Sequence, residues 1–131
     1  MGFEAHGHYD IQVQGEIFIV RFYQSWNLEG TKAFFEDYKA IILEQGFEKF
    51  GVLGDLRKFE GGPPDASAVF EKISKWTYEH GQIARAQLAD EMLGEYMINM
   101  STRGKLLFPV KTFDDEKKAL AWLKTLGLDV G

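Results

Sequence analysis

The stretch KFGVLGDL, Lys49 to Leu56, decides the fold. It is a short apolar run closed by an aspartate, and it reads as a buried strand ending near Asp55. The segments on either side have a different period. Upstream, Phe34, Phe35, Tyr38, Ile41 and Ile42 recur at helical spacing between Leu28 and Glu44, with Asn27 placed to cap the helix and Gly46 to stop it. Downstream, after the loop RKFEGGPPDAS, Val69, Phe70, Ile73, Trp76 and His80 line one stripe of a second helix that Asp65 is placed to cap and Gly81 to end.

The same alternation extends outward. IFIVRFY, Ile17 to Tyr23, is a strong strand, and a weaker one, Tyr9 to Gln14, joins it through Gly15-Glu16 as a hairpin. QIARAQLA, Gln82 to Ala89, reads as a strand. Asp90 then caps a third helix carrying Met92, Leu93, Tyr96, Met97 and Met100, which Gly94 weakens. KLLFPV, Lys105 to Val110, is the expected last strand, near an edge or its own end at Pro109, which has no N–H for a ladder. Thr112 or Asp114 caps the final helix, with Ala119, Leu120, Leu123 and Leu126 facing inward and Gly127 stopping it. The order ββαβαβαβα calls for an α/β fold: a mostly parallel five-stranded sheet with right-handed crossovers and an antiparallel N-terminal edge strand. Strands laid down in sequence order place every crossover helix on one face. The other face, with Ile17, Ile19, Arg21 and Tyr23 of the second strand, is nonetheless mostly apolar. The N-terminal segment, a ligand or a second subunit would have to cover it, and an isologous homodimer is the commonest solution.

Bulk properties set limits. A chain of 131 residues suits one domain, 1–131. Eleven Phe, five Tyr and three Trp supply a core without staples, and the absence of cysteine excludes disulfides, thiolate metal sites and cysteine nucleophiles. Net charge −5 with scattered Lys and Arg argues against nucleic acid as a partner. No apolar run reaches the ~20 residues of a membrane span, and MGFEAHGHYD lacks the features of a signal peptide, so the expected location is the cytoplasm.

The element order, the strand GVLGDL with its terminal aspartate, and the C-terminal block VKTFDDEKKALAWL together resemble the SpoIIAA-like proteins, the STAS-type fold of anti-sigma-factor antagonists. The resemblance is closer to the small bacterial branch described as STAS/CRAL-TRIO-like, and it spans Tyr9 to Leu126. It implies a non-enzymatic domain that binds a regulatory protein partner. It also implies a switch serine at the start of the helix after the central strand. The matching region here is PPDASAV, where Ser67 stands two residues after Asp65 but Ala66 and Ala68 replace the flanking serine and glycine. CRAL-TRIO domains carry hydrophobic ligands, but with extra helices for which this chain has no room.

The candidate sites follow from this layout. Ligands of open α/β sheets collect beyond the carboxyl ends of strands, which singles out Asp55, Arg57, Phe59 and Glu60. The plainer reading is that Asp55 fixes the loop and Asp65 caps the helix. Asp55, Glu60 and Asp65 could approach one another for acid–base work, but no nucleophile or metal motif accompanies them, so no catalytic residue and no cofactor are assigned. His6, His8 and His80 could offer three metal ligands, yet no carboxylate sits beside them at ligand spacing, and no metal is assigned. A groove between Met97 and Trp26 or Trp76 would suit a small apolar, lipid-like ligand, against the simpler reading of core packing. Ser67 is the candidate phosphoacceptor.

Overall fold

The computed structural model describes residues 4–131. The elements, in chain order, are β1 (His8–Gln14), β2 (Ile17–Gln24), α1 (Leu28–Gln45), β3 (Phe50–Phe59), α2 (Ala66–Glu79), β4 (Gln82–Leu88), α3 (Glu91–Thr102), β5 (Val110–Phe113) and α4 (Glu116–Thr125). The five strands lie in sequence order, with β1 antiparallel to β2 and the rest parallel. This is the expected fold class.

The local chemistry of the first helix is as read. The Asn27 side chain accepts the Gly30 N–H at 2.8 Å, and Gly46 turns left-handed at φ 64° to release the helix. Asn27 also accepts the His6 N–H at 2.8 Å, which ties the N-terminal segment to the helix start.

Four boundaries differ from the sequence reading. β3 does not end at Asp55; it runs on to Phe59, because Lys58 and Phe59 pair with Tyr23 and Gln24 past a register shift. Asp65 makes no side-chain cap, since its own backbone is already helical (φ −69°, ψ −22°), whereas a cap residue needs an extended one. The first turn of α2 is instead closed by the Pro63 and Pro64 carbonyls. The last strand is not Lys105 to Val110 but Val110–Phe113. Pro109 cannot donate to a ladder; its carbonyl accepts the Arg85 N–H at 2.9 Å, and pairing begins with the next residue. Finally, α4 is capped by Asp115, which accepts the Lys117 N–H, and not by Thr112 or Asp114.

Two cores flank the sheet. On one face Phe18, Val20, Phe22, Val52 and Leu56 meet α1, α2 and α3 through Phe34, Tyr38, Phe70, Ile73 and Met97. On the other, Ile17, Ile19, Leu53, Ala84 and Ala86 are buried beneath Ala119, Leu123 and Leu128. The second face is therefore covered by a helix of the chain itself, where the sequence reading expected the N-terminal segment, a ligand or a second subunit. Each of α1, α2 and α3 joins two parallel strands, so handedness commits them to one side. α4 does not connect two of the five strands described, so the rule does not commit it to that side, and it lies over the other. The surface expected to support a homodimer is occupied by the chain's own last helix.

Leu123 is fully buried against that face. Leu123→Ala should lower the unfolding free energy by about 2–5 kcal/mol, measured by urea denaturation. A loss below 1 kcal/mol would mean that α4 is not an integral cover.

Candidate binding edge and inner cavity

Arg21 is the one charged residue within the apolar run of β2, and it lies on the α4 face beside Asp55 of β3. Its Nη1 donates to Asp55 Oδ2 at 2.8 Å and to Glu116 Oε1 at 2.9 Å. Arg57 completes the group: its Nε reaches Asp55 Oδ1 at 2.9 Å and its Nη2 reaches Oδ2 at 3.0 Å, a two-point contact. The Arg57 backbone N–H also donates to Asp55 Oδ1, at 3.1 Å. That bond falls at the register shift, where an N–H is left without a ladder partner. One carboxylate thus stabilises the irregular end of β3 and, through Arg21, links two strands to the start of α4.

Burial pushes the Asp55 carboxyl upward, but the Arg57 and Arg21 guanidinium groups and the Arg57 N–H outweigh it and hold Asp55 below the ordinary range. This is the state of a structural anion, not of a proton shuttle near neutral pH.

Around this network the molecule opens into shallow clefts. One, of about 600 Å³, is lined by Arg21, Phe22, Tyr23, Asp55, Arg57, Lys58 and Glu116. Its neighbour, of about 480 Å³, adds His8, Gln24, Phe59 and Glu60. Arg57, Lys58 and Glu60 are exposed, whereas Phe59 is buried against Phe22 and Trp26. The loop beyond is pinned to the β2–α1 connection, with the Glu60 N–H on the Gln24 carbonyl and the Trp26 N–H on the Gly61 carbonyl.

The other sequence-derived candidates scatter. Trp26 is 2% exposed, donates from Nε1 to the Tyr23 carbonyl and packs among Phe22, Phe34 and Phe70. Trp76 is half-buried and stacks on His80 with ring centres 3.8 Å apart. Ser67 is half-buried, and its Oγ donates to the Met100 carbonyl at 2.7 Å, joining α2 to α3. Among the described residues no cluster of His, Cys, Asp or Glu is placed to hold a metal ion. Among the described residues no helix is long and apolar enough to cross a membrane.

Met97 borders an inner cavity that neither tryptophan lines; Trp26 instead borders a separate open cleft with His6, Asn27 and Glu60. A space of about 50 Å³ lies between the sheet and α1–α3, walled by Val20, Phe22, Val52, Leu56, Phe70 and Met97, with Gly54, Arg85, Gln87 and Ser101 also on its lining. It is too small for an acyl chain. Sequence reading missed Arg21, Glu116, Arg85 and Gly54. For Arg21, Arg85 and Gly54 the available signal was a charge or a glycine inside a strand, where side-chain packing would favour neither; Glu116, the first residue of α4, lies in a charged run that carries no such signal.

The SpoIIAA-like family model matches residues 17–124. Among solved structures, an uncharacterised protein from Shewanella loihica PV-4 with a SpoIIAA-like fold is similar at TM-score 0.69 and 14% identity, covering 94% of this chain and 98% of its own. The anti-sigma factor antagonist SpoIIAA in its unphosphorylated form is similar at TM-score 0.59 and 8% identity, covering 89% and 98%. No curated protein matches the sequence.

Asp55→Asn should cost about 1–3 kcal/mol at neutral pH, because it strips two arginines of their shared counterion. The folded pKa of Asp55 is depressed, so its contribution is full above the unfolded value of about 4 and is lost as pH falls through the folded value. Denaturation at stepped pH should therefore show a smaller acid-side loss for Asp55→Asn than for the parent. Parallel curves would mean that Asp55 does not carry this linkage.

Proposed function

Since the chain belongs to the SpoIIAA-like family, we propose that it is a non-enzymatic, cytoplasmic regulatory module that binds a protein partner at the carboxyl edge of β2 and β3. The observation that carries this reading is the arrangement at that edge. Exposed Lys58 and Glu60 flank open clefts, while Arg21, Arg57, Asp55 and Glu116 beside them neutralise one another in a fixed network. A compensated base with free charges at its rim favours recognition and orientation over chemistry. The depressed pKa of Asp55 points the same way. That one similar structure is an anti-sigma factor antagonist supports a protein as the partner.

With the second face filled by α4, a homodimer through that face has lost its basis, and the reading needs no second copy. A phosphoswitch at Ser67 would place a phosphoryl group where Oγ now bonds the Met100 carbonyl, so it would require α2 and α3 to part. The cavity bordered by Met97 supports a second reading, a carrier or sensor of a small ligand, and its size limits that ligand to a few non-hydrogen atoms.

A photo-cross-linking residue in place of Glu60, in the native host, should capture a discrete partner, and adding Lys58→Glu should cut the yield several-fold. Lys58 is exposed, so its replacement should shift stability by no more than about 0.5 kcal/mol. Equal capture by a probe at Leu43, an exposed position on α1, or no effect of Lys58→Glu, would count against the edge as the binding site.

A further inference from the structure

Gly54 sits in the middle of the central strand, where glycine weakens a sheet. At Gly51, three residues earlier, a Cβ would lie 2.6 Å from Leu128, so packing explains the glycine. At Gly54 it would meet nothing closer than 4.0 Å, the ring of Phe22. The protein's own packing does not require this glycine. Its effect is to leave room in the cavity that it lines.

Three polar residues of β4 border the same space: Gln82, whose Nε2 donates to the Ala84 carbonyl, Arg85 and Gln87. Arg85 has five N–H donors. Among the described residues its only side-chain hydrogen bond runs from Nη2 to Ser101 Oγ at 2.9 Å, and it has no acidic partner. Its Nε is buried and unpaired, and burial lowers its pKa to about 10, which leaves it cationic at neutral pH. Gln87 is 1% exposed; its Nε2 donates to the Gly94 carbonyl at 3.1 Å and to Thr112 Oγ1 at 3.3 Å, while its Oε1 is buried without a partner. A half-buried cation without a counterion is costly, and the orphaned Gln87 Oε1 separately calls for a hydrogen-bond donor. Arg85 therefore leaves the cavity without a matching negative charge, and most of the remaining lining is apolar.

We propose that this cavity is a binding site for a small organic monoanion of the carboxylate class, held by the Arg85 guanidinium and admitted by the missing side chain at Gly54. The planar guanidinium matches two carboxylate oxygens, and because Nε is shielded, the Nη hydrogens are the donors that a ligand reaches. A volume of about 50 Å³ suits a molecule of formate or acetate size. This inference rests on the small-ligand reading and specifies its chemistry.

The test uses the intact chain, with acetate and its uncharged isostere acetamide titrated at constant ionic strength. Binding is followed by calorimetry and by the amide resonance of Gly54 and the Nε–H resonance of Arg85. Acetate should bind saturably and shift both resonances; acetamide should not. Arg85→Met should weaken acetate about 10- to 150-fold. Gly54→Ala should abolish binding by filling the space while leaving the melting temperature unchanged or raised, which keeps the test decisive if Arg85→Met fails to fold. Acetamide binding as tightly as acetate would overturn the anion proposal and leave the small-ligand reading standing. Silence of both resonances to both compounds would overturn both. Unchanged acetate binding by Gly54→Ala would place the site elsewhere.

Discussion

A sheet that is apolar on both faces has to be covered on both. In β2, Ile17, Phe18, Ile19 and Val20 are consecutive, point alternately to opposite sides and are each at most 1% exposed. Right-handed crossovers commit α1, α2 and α3 to one side of the sheet, so the other side falls to the single helix that no crossover constrains. α4 covers it with Ala119 and Leu123, helped by Leu128 beyond the helix end. With both faces filled, the openings that bear on a ligand or partner at the sheet are its rim and the small space left among the inner helices.

The rim is built on the same economy. Asp55 accepts from Arg21, from the Arg57 side chain and from the Arg57 backbone, and Arg21 reaches on to Glu116 at the start of α4. The network thus closes an irregular strand end and fastens the covering helix at the point where the clefts begin. Its members are partly shielded, with the Arg21 and Asp55 side chains 25% and 10% exposed, so it resists salt better than a surface pair would. Lys58 still presents a cationic side chain to solvent, beside a foundation in which Arg21 and Arg57 balance Asp55 and Glu116.

Much of this was legible in the sequence, for physical reasons. Phe34, Tyr38 and Ile42 recur at helical spacing because one face of α1 is buried, and Asn27 and Gly46 bound the helix because its terminal N–H and C=O groups need partners. The errors arose where a tertiary contact overrides a local signal. Arg57 and Lys58 look like the end of a strand, yet pairing with Tyr23 and Gln24 carries β3 past them. Asp65 has the composition of a cap, but two prolines before it have already set a helical turn. Leu106, Leu107 and Phe108 look like a strand, but Pro109 moves the ladder beyond them. The side on which α4 lands leaves no mark in its amphipathic pattern. Gly94 read as a weak point in α3; a Cβ there would come within 2.7 Å of Thr112, so the glycine permits a close approach to β5. Of the site, Asp55 and Arg57 could be named from their place after an apolar strand, whereas their bond to Arg21 required the register of two strands.

The claim on which the functional reading turns is that α4 is a permanent cover and not a detachable one. Native-state hydrogen exchange tests it directly, by comparing the opening free energies of amides in α4, around Ala119 to Leu123, with those of β3, around Val52 to Gly54. A permanent cover gives the two segments the same free energy, equal to that of global unfolding. If α4 instead opens several kcal/mol more easily than β3, then Ile17, Ile19 and Leu53 become available to a partner, and the binding surface is the sheet face and not its edge.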